Sequence, residues 1–245
     1  MPMFQTANRP KGAIKTVKDG ALWQLHDDQG ALAFEDVPIL LPSETWAQAI
    51  VNEWKPRPKV KPDSCRDSFN LKPDRPATQV ARLALQGIPT EPAKYQQQLL
   101  DYLATDTILF WQNSPSSLMQ AQKTHWQPVL EMIAKNFGDC PEPCFELQPA
   151  QVSKNLESKL QEWLEKRNSY CLAGMVFLTG ITGSIMLSVA LSTRHIDAEA
   201  AYNAACLEAL YQREHWGADV EGDARLERVR TSCLLAADFL QTKLD

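Results

Sequence analysis

The residues that could do chemistry are scattered along this chain rather than grouped. The chain has 4 histidines, which are far apart: His26, His125, His195 and His215. No two of them have the four-residue spacing that puts paired zinc ligands on one helix face. Cys140 and Cys144 lie close together, but no second cysteine pair accompanies them. The sequence therefore predicts no metal site, no cofactor and no catalytic residues, so the protein is not expected to be an enzyme.

Phosphate and nucleic-acid chemistry are also disfavoured by the sequence. The stretch from Gly180 to Ser184 is rich in glycine but has no lysine, and it lies in the most apolar part of the chain, so helix packing is favoured over phosphate binding. The formal net charge is −5 and the pI is about 5.5. A mildly acidic surface does not suit a nucleic-acid-binding body.

One segment, Leu207 to Glu221, has the composition of a docking surface. Helical spacing places four residues along one side, Glu208, Tyr211, Gln212 and His215, and the segment then continues into Trp216. Tyrosine and tryptophan are enriched at the energetic centres of protein interfaces. The alternative is that Trp216 packs under the helix end while the acidic side chains are merely solvated.

The elements that would position this surface surround a long apolar run, Tyr170 to Leu191, which has no charged residue. Such a run is long enough to cross a bilayer, or it can be the buried centre of a helical bundle. The interruption Thr179 to Ser184 favours two short buried helices inside a bundle over one membrane span. We therefore expect no membrane insertion.

The N-terminal part has the pattern of a small antiparallel sheet. From Ala13 to Leu41 short apolar pieces alternate with turn signals, and Pro38 implies an edge strand. A helix is expected to start at Ser43 and to end at Trp54. Residues Lys55 to Lys61 then form a basic, proline-rich connector.

Beyond Pro76 the pattern is helical. Apolar stripes occur at 118–137, 152–164, 200–211 and 226–240, and Asp197 is expected to cap a helix that ends at Gly217. The short run Thr105 to Trp111 could be a strand or a buried helix end. The fold class is thus predicted to be α+β, with a small β-rich N-terminal domain (1–75) followed by a larger all-helical bundle domain (76–245).

Cysteine usage and the N-terminus predict a reducing compartment. Three cysteines, Cys171, Cys206 and Cys233, fall inside apolar helical patterns, as reduced and buried thiols do. The N-terminus lacks the apolar region of a signal peptide and is poor in the arginine and serine of a transit peptide. Cytoplasmic localisation is favoured, and the mitochondrial matrix is the alternative.

Five stretches, taken in order along the chain, match the motifs of one family: Leu41-Pro42-Ser43 with Glu53-Trp54; Tyr102 with Thr105-Asp106-Thr107; Pro115, Leu118, Gln122, Trp126 and Pro128; Gly183-Ser184 with Leu187 and Leu191; and Leu207-Glu208, Gln212, Trp216-Gly217, Asp219 and Glu221. They resemble the assembly chaperones for the F(1) sector of ATP synthase that act on its alpha subunit, which are found in mitochondria and alphaproteobacteria. The chain departs slightly from the family pattern at Gln127, since an aspartate is usual before Pro128.

The resemblance implies a monomeric chaperone that binds the unassembled alpha subunit and shields its subunit interface until beta replaces it. It implies the same division into a β-rich and a helical part. The residues expected to contribute to partner binding are Glu208, Gln212, Glu214, Trp216, Gly217, Asp219, Glu221 and, on the N-terminal part, Trp54. Trp54 could equally belong to the core between the domains. The alternative functions are a helical scaffold or an enzyme of unassigned activity.

Overall fold

The computed structural model describes residues 10–55, 75–145 and 148–240. Its N-terminal part contains short strands, whose bounds are β1 Lys15–Asp19, β2 Leu22–Asp27, β3 Gly30–Ala31, β4 Ala33–Phe34, β5 Val37–Pro38 and β6 Leu40–Leu41. β2 pairs antiparallel with β1, β3 and β6, while β4 and β5 form a separate two-stranded hairpin. The predicted small antiparallel sheet is confirmed.

The apolar run from Val37 to Leu41 is divided between the two sheets. Val37 and Pro38 pair with β4, and Leu40 and Leu41 pair with β2. Pro38, which has no N–H to donate, lies opposite Ala33 in the small hairpin, in keeping with the expected edge position.

The first helix, α1 (Glu44–Trp54), begins and ends where the sequence predicts. The hydroxyl of Ser43 accepts a hydrogen bond from the Trp46 N–H at 3.2 Å and so caps the helix. Its inner face buries Trp46, Ala47, Ile50 and Val51. The predicted basic connector falls almost entirely on residues 56–74, outside the described residues.

The remaining elements are helical. Their bounds are α2 Pro76–Arg82, α3 Ile88–Thr90, α4 Pro92–Leu100, α5 Ser116–Phe137, α6 Lys154–Glu165, α7 Ser169–Thr182, α8 Ile185–Ser192, α9 Ala198–Ala205, α10 Leu207–Trp216 and α11 Val220–Leu240. A π-helical turn joins α2 to α3. The ambiguous run after Tyr102 forms 3₁₀ turns, and Phe110 then makes a single β-bridge with Cys144.

The apolar run forms two helices, α7 and α8, as its glycine and hydroxyl residues predict. Gly183 ends α7 in the left-handed conformation (φ 70°), and the Ser184 hydroxyl caps α8 by accepting the Leu187 N–H at 3.0 Å. Both helices are largely buried. No helix in the described part of the chain is long and apolar enough to span a bilayer.

The single helix expected between Asp197 and Gly217 is in fact two helices, so that prediction is wrong. Asp197 caps α9 as predicted, but the chain breaks at Cys206 before α10 begins. At this break the Ala204 carbonyl accepts the indole N–H of the buried Trp126 at 2.8 Å. The partner that competes for this carbonyl lies on α5, so the local sequence does not reveal the break.

Candidate functional site

The segment from Leu207 to Glu221, here called the α10–α11 corner, comprises α10, the connection after it and the first turn of α11. Helix α10 packs on α5 and α9. Leu207 is its buried anchor, and from Gln212 to Glu221 every residue is exposed. The corner is thus a protruding surface fixed at one end.

Glu208 ties α10 to α5. Its carboxylate accepts hydrogen bonds from the side-chain amides of Gln122, at 3.2 Å, and Gln112, at 3.4 Å. Gln122 is fully buried, and its side-chain Oε1 accepts the backbone N–H of Gln112 at 2.9 Å. Glu208 therefore positions the corner on α5. Its partner Gln122 belongs to one of the motifs on which the family resemblance rests, as does Trp126.

Tyr211 and His215 make a second attachment of α10 to α5. The Tyr211 hydroxyl lies 2.6 Å from the Ser117 hydroxyl, and its ring stacks on His215 with centroids 4.0 Å apart. The His215 Nδ1 is 2.8 Å from the Tyr211 carbonyl. The Tyr211–Ser117 contact thus adds a second link between α10 and α5.

The exposed part of the corner contains two apolar side chains as well as acidic ones. Trp216 is 77% exposed and Val220 is 90% exposed. The alternative that Trp216 packs under the helix end is therefore wrong. Glu214 and Glu221 are exposed and form no ion pair with any residue of the described ranges, and Gln212 is likewise exposed.

The corner itself is held by a cap and an ion pair. The Asp219 carboxylate accepts the Gly222 N–H at 2.8 Å, and its carbonyl accepts the Asp223 N–H, so Asp219 caps α11. Arg213 on α10 pairs with Asp223 on α11 at 2.7 Å. Gly217 ends α10 with φ 94° and ψ 167°, a conformation that glycine adopts readily. The start of α11 was not predicted from the sequence. Its signal is Asp219, a capping residue that follows Gly217 and lies three residues before Gly222.

Trp54 lies on another part of the molecule. It ends α1, is half-buried, and its indole N–H donates to the Thr78 hydroxyl of α2 at 2.9 Å. The neighbouring Glu53 carboxylate accepts the backbone N–H groups of Ala77 and Thr78. The Glu-Trp pair therefore caps and anchors α2, and it does not join the α10–α11 corner.

A buried carboxylate links two further motifs that the resemblance singled out. Asp106 is fully buried, and its two carboxylate oxygens accept the N–H groups of Ile108, at 3.2 Å, and Met186, at 3.0 Å. Burial raises the pKa of Asp106 to about 6, against the opposing effect of these hydrogen bonds. The Thr107 hydroxyl lies next to Gly183 and donates a hydrogen bond to the Thr182 carbonyl at 3.0 Å. The Thr-Asp-Thr segment thus braces the start of α8.

The titratable residues of the described ranges include no group of three or more that could hold a metal ion. Burial raises the pKa of Cys140 to about 12, which keeps this thiol protonated at neutral pH. Cys171, Cys206 and Cys233 are buried free thiols, as predicted.

Comparison with known proteins identifies related chains. A family model described as ATP12 chaperone protein matches residues 15–134. Atp12 from Paracoccus denitrificans has a similar structure, with a TM-score of 0.73 and 22% identity over 96% of this chain and 97% of that chain, and a point mutant of Atp12p from the same species matches equally well. A candidate chaperone from Agrobacterium tumefaciens matches with a TM-score of 0.72 and 21% identity over 96% of this chain and 85% of its own. The α+β fold predicted from the sequence is the fold of these structures.

Proposed function

We propose that this chain, whose residues 15–134 match the ATP12 chaperone family model, is a chaperone of ATP synthase assembly whose client is the unassembled alpha subunit of the F(1) sector. It binds the alpha subunit at the surface that beta later occupies, and it leaves when beta replaces it. Exposed subunit interfaces are aggregation hazards, so a reversible cover protects them. Release follows if the alpha–beta interface is the more favourable one.

The observation that carries this proposal is the exposed pair Trp216 and Val220 at the α10–α11 corner. A tryptophan that is 77% exposed leaves a large apolar surface in water. Burying it in a partner recovers that free energy, which is why tryptophan is prominent among interface hot spots. A holding function of this kind needs shape and apolar contact and requires no catalytic group.

The charges around Trp216 specify the kind of client surface that fits. Glu214, Asp219 and Glu221 are exposed acids, and the nearby Arg213 is already paired with Asp223. The complementary surface therefore has an apolar groove bordered by lysine or arginine. Such charges mainly steer the encounter and select the partner.

The test is suppression of aggregation of purified alpha subunit, followed by light scattering, with wild-type chain and with Trp216→Ala. We expect the variant to bind the alpha subunit about tenfold or more weakly, since hot-spot tryptophans contribute about 2 kcal/mol or more. Phe145→Ala is the matched control, because Phe145 is an aromatic residue that is 54% exposed outside the corner. It should protect as well as the wild type.

The charges require variants that do not disturb the fold. Reversing Glu208 or Asp219 would break the contacts to Gln122 or the cap of α11, so Glu214→Lys with Glu221→Lys is the cleaner double variant. Asp219→Asn removes the charge and keeps an acceptor for the cap. If these variants and Trp216→Ala all protect the client fully, the corner is not the client surface; if the wild type fails to protect alpha, the client assignment is wrong.

The site of action in the cell follows from the same proposal. The related structures reported above come from two bacteria, Paracoccus and Agrobacterium. We propose that this chain works in the bacterial cytoplasm, where the F(1) subunits are made. Fractionation of the native host, with the chain detected by antibody, tests this, and recovery in a membrane or exported fraction would contradict it.

A further inference from the structure

The turn after α8 has an arginine where the backbone favours glycine. The Arg194 N–H donates to the Leu191 carbonyl at 3.1 Å, and the His195 N–H donates to the Ala190 carbonyl at 2.9 Å. This pair of bonds is the Schellman ending of a helix, in which the residue at the position of Arg194 is left-handed and is most often glycine. Arg194 has φ 59°, one of the positive values found at non-glycine residues in the described chain.

The Arg194 side chain does not contribute to ending the helix. Backbone N–H groups and the hydroxyls of Ser192 and Thr193 already satisfy the last carbonyls of α8. The guanidinium makes no hydrogen bond or ion pair with any residue in the described ranges. Arg194 thus combines an unfavourable left-handed backbone with an exposed guanidinium that has no polar partner in the described ranges, and this guanidinium is available for an external partner.

Arg194 lines a groove of about 450 Å³ between α5 and this turn. We call it the basic groove; its lining includes Pro128, Glu131, Lys135, Asn136, Arg194 and His195. The side chains of Lys135 and His195, like that of Arg194, have no hydrogen-bond or ion-pair partner in the part of the chain that the structure describes. The Glu131 carboxylate accepts the Gln127 amide at 3.1 Å. The groove lining therefore contains two cations, Lys135 and Arg194, with the imidazole of His195 and one acid, on a chain whose net charge is −5.

We propose that the basic groove is a second binding site, which takes an acidic peptide segment of a partner protein. The guanidinium of Arg194 suits bidentate contact with a carboxylate, and Lys135 adds a second cation. A volume of this size is typical of pockets that hold small ligands, so a few residues of peptide fill it.

A multiply charged phosphate fits this groove less well than a carboxylate. Helix α8 ends at the groove and α5 ends close to it, and the C-terminal ends of helices carry negative partial charge. Phosphate sites typically use helix N-termini and glycine-rich loops instead, and neither lines this groove. Glu131 adds further repulsion, which a dispersed acidic peptide experiences less strongly.

The experiment is a fluorescence anisotropy titration of the intact chain against a labelled peptide of alternating Glu and Ala with an amidated end. We expect binding that weakens as salt is raised, because the attraction is between exposed charges. Arg194→Gly should bind at least about tenfold more weakly, as for a lost charge-assisted contact. The melting temperature of this variant should equal or exceed that of the wild type, because glycine relieves the left-handed strain.

A matched pair on α5 separates the groove from general charge. Lys135→Ala should weaken binding, while Lys123→Ala, which removes another exposed lysine of the same helix outside the lining, should not. The proposal is overturned if Arg194→Gly binds like the wild type, if a Gln-Ala peptide binds equally well, or if inorganic triphosphate displaces the peptide at lower concentration than unlabelled peptide does. The basic groove shares no residue with the α10–α11 corner, so each proposal fails or stands separately.

Discussion

Asp106 is the buried charge that connects the middle of the chain to its most apolar helix pair. Its carboxylate accepts N–H groups at the start of α8, where the positive end of the helix dipole favours an anion. Burial is nonetheless the larger effect, and it raises the pKa of Asp106 to about 6. A proton is therefore held more tightly in the folded chain than in the unfolded chain.

The sign of the resulting pH dependence follows from that pKa. Because the folded pKa lies above the unfolded value of about 3.9, the contribution of Asp106 to stability is fully present below about pH 4 and is lost as pH rises through about 6. Asp106→Asn cannot ionise. We expect the free energy of unfolding of the wild type, relative to this variant, to fall by on the order of 1–3 kcal/mol between pH 4 and 7.

Urea denaturation followed by circular dichroism at a series of pH values measures this difference. Asp101→Asn, which removes an exposed carboxylate on the same stretch of chain, is the control for surface charge. If the free energy of unfolding of the wild type runs parallel to that of Asp106→Asn over the whole pH range, Asp106 does not titrate with a raised pKa.

At the scale of elements, the break between α7 and α8 converts one apolar run into two buried helices. Gly183 provides the left-handed turn, and a Cβ at this position would collide with the Thr107 hydroxyl. That hydroxyl cannot easily move, since it donates to the Thr182 carbonyl. The backbone conformation and the close neighbour both require glycine.

Gly183→Ala should therefore lower the free energy of unfolding by about 1–3 kcal/mol, from left-handed strain and the displaced hydrogen bond. Gly180→Ala is the matched control inside α7. Gly180 is exposed and an added Cβ there meets no atom within 4 Å. Gly180→Ala should raise the free energy of unfolding by about 0.5–1 kcal/mol, because alanine is the better helix former. Chemical denaturation of both variants measures the contrast, and a stabilising Gly183→Ala would refute the proposed close approach.

At the scale of the molecule, one hydrophobic cluster includes both the N-terminal sheet with α1 and the helices that follow. Trp46 of α1 contacts Phe239 of α11 edge-on, with ring centroids 3.4 Å apart, and Tyr170 of α7 lies 5.8 Å from the same Phe239 ring. The Tyr170 hydroxyl donates to the Leu40 carbonyl of β6 at 2.9 Å. The division at residue 75 remains a prediction about domains, and this shared core determines how independent they are.

Phe239→Ala should cost about 3–5 kcal/mol, since it removes a fully buried ring from this junction. Because the sheet and the helices share the cluster, both should unfold at the same urea concentration in this variant. The urea midpoint for the loss of sheet amide signals in NMR should therefore fall together with that for the loss of helical circular dichroism. Leu234→Ala on the same helix is the control, because Leu234 is 49% exposed and should change stability by less than about 1 kcal/mol. Separate transitions for sheet and helices would indicate two independently folding domains.

Features that depend on neighbouring residues can be predicted from the sequence alone. The hydroxyl of Ser43 predicts the start of α1, Gly183-Ser184 predicts the break in the apolar run, and Asp197 predicts the start of α9, because caps and turns use groups within a few positions of one another. Alternation predicts the strands for the same reason. The fold class follows from these local patterns.

Features that depend on distant partners emerge only when the chain is folded. The tertiary structure places Asp106 at the start of α8, places the Trp126 indole at the break before α10, and links Glu208 to Gln122. It also leaves Trp216 in water and leaves the Arg194 side chain exposed, with no polar partner among the residues that the structure describes, although the sequence allows either to be covered. Whether a side chain is buried, paired or free depends on which remote surface packs beside it, and local spacing carries no information about that.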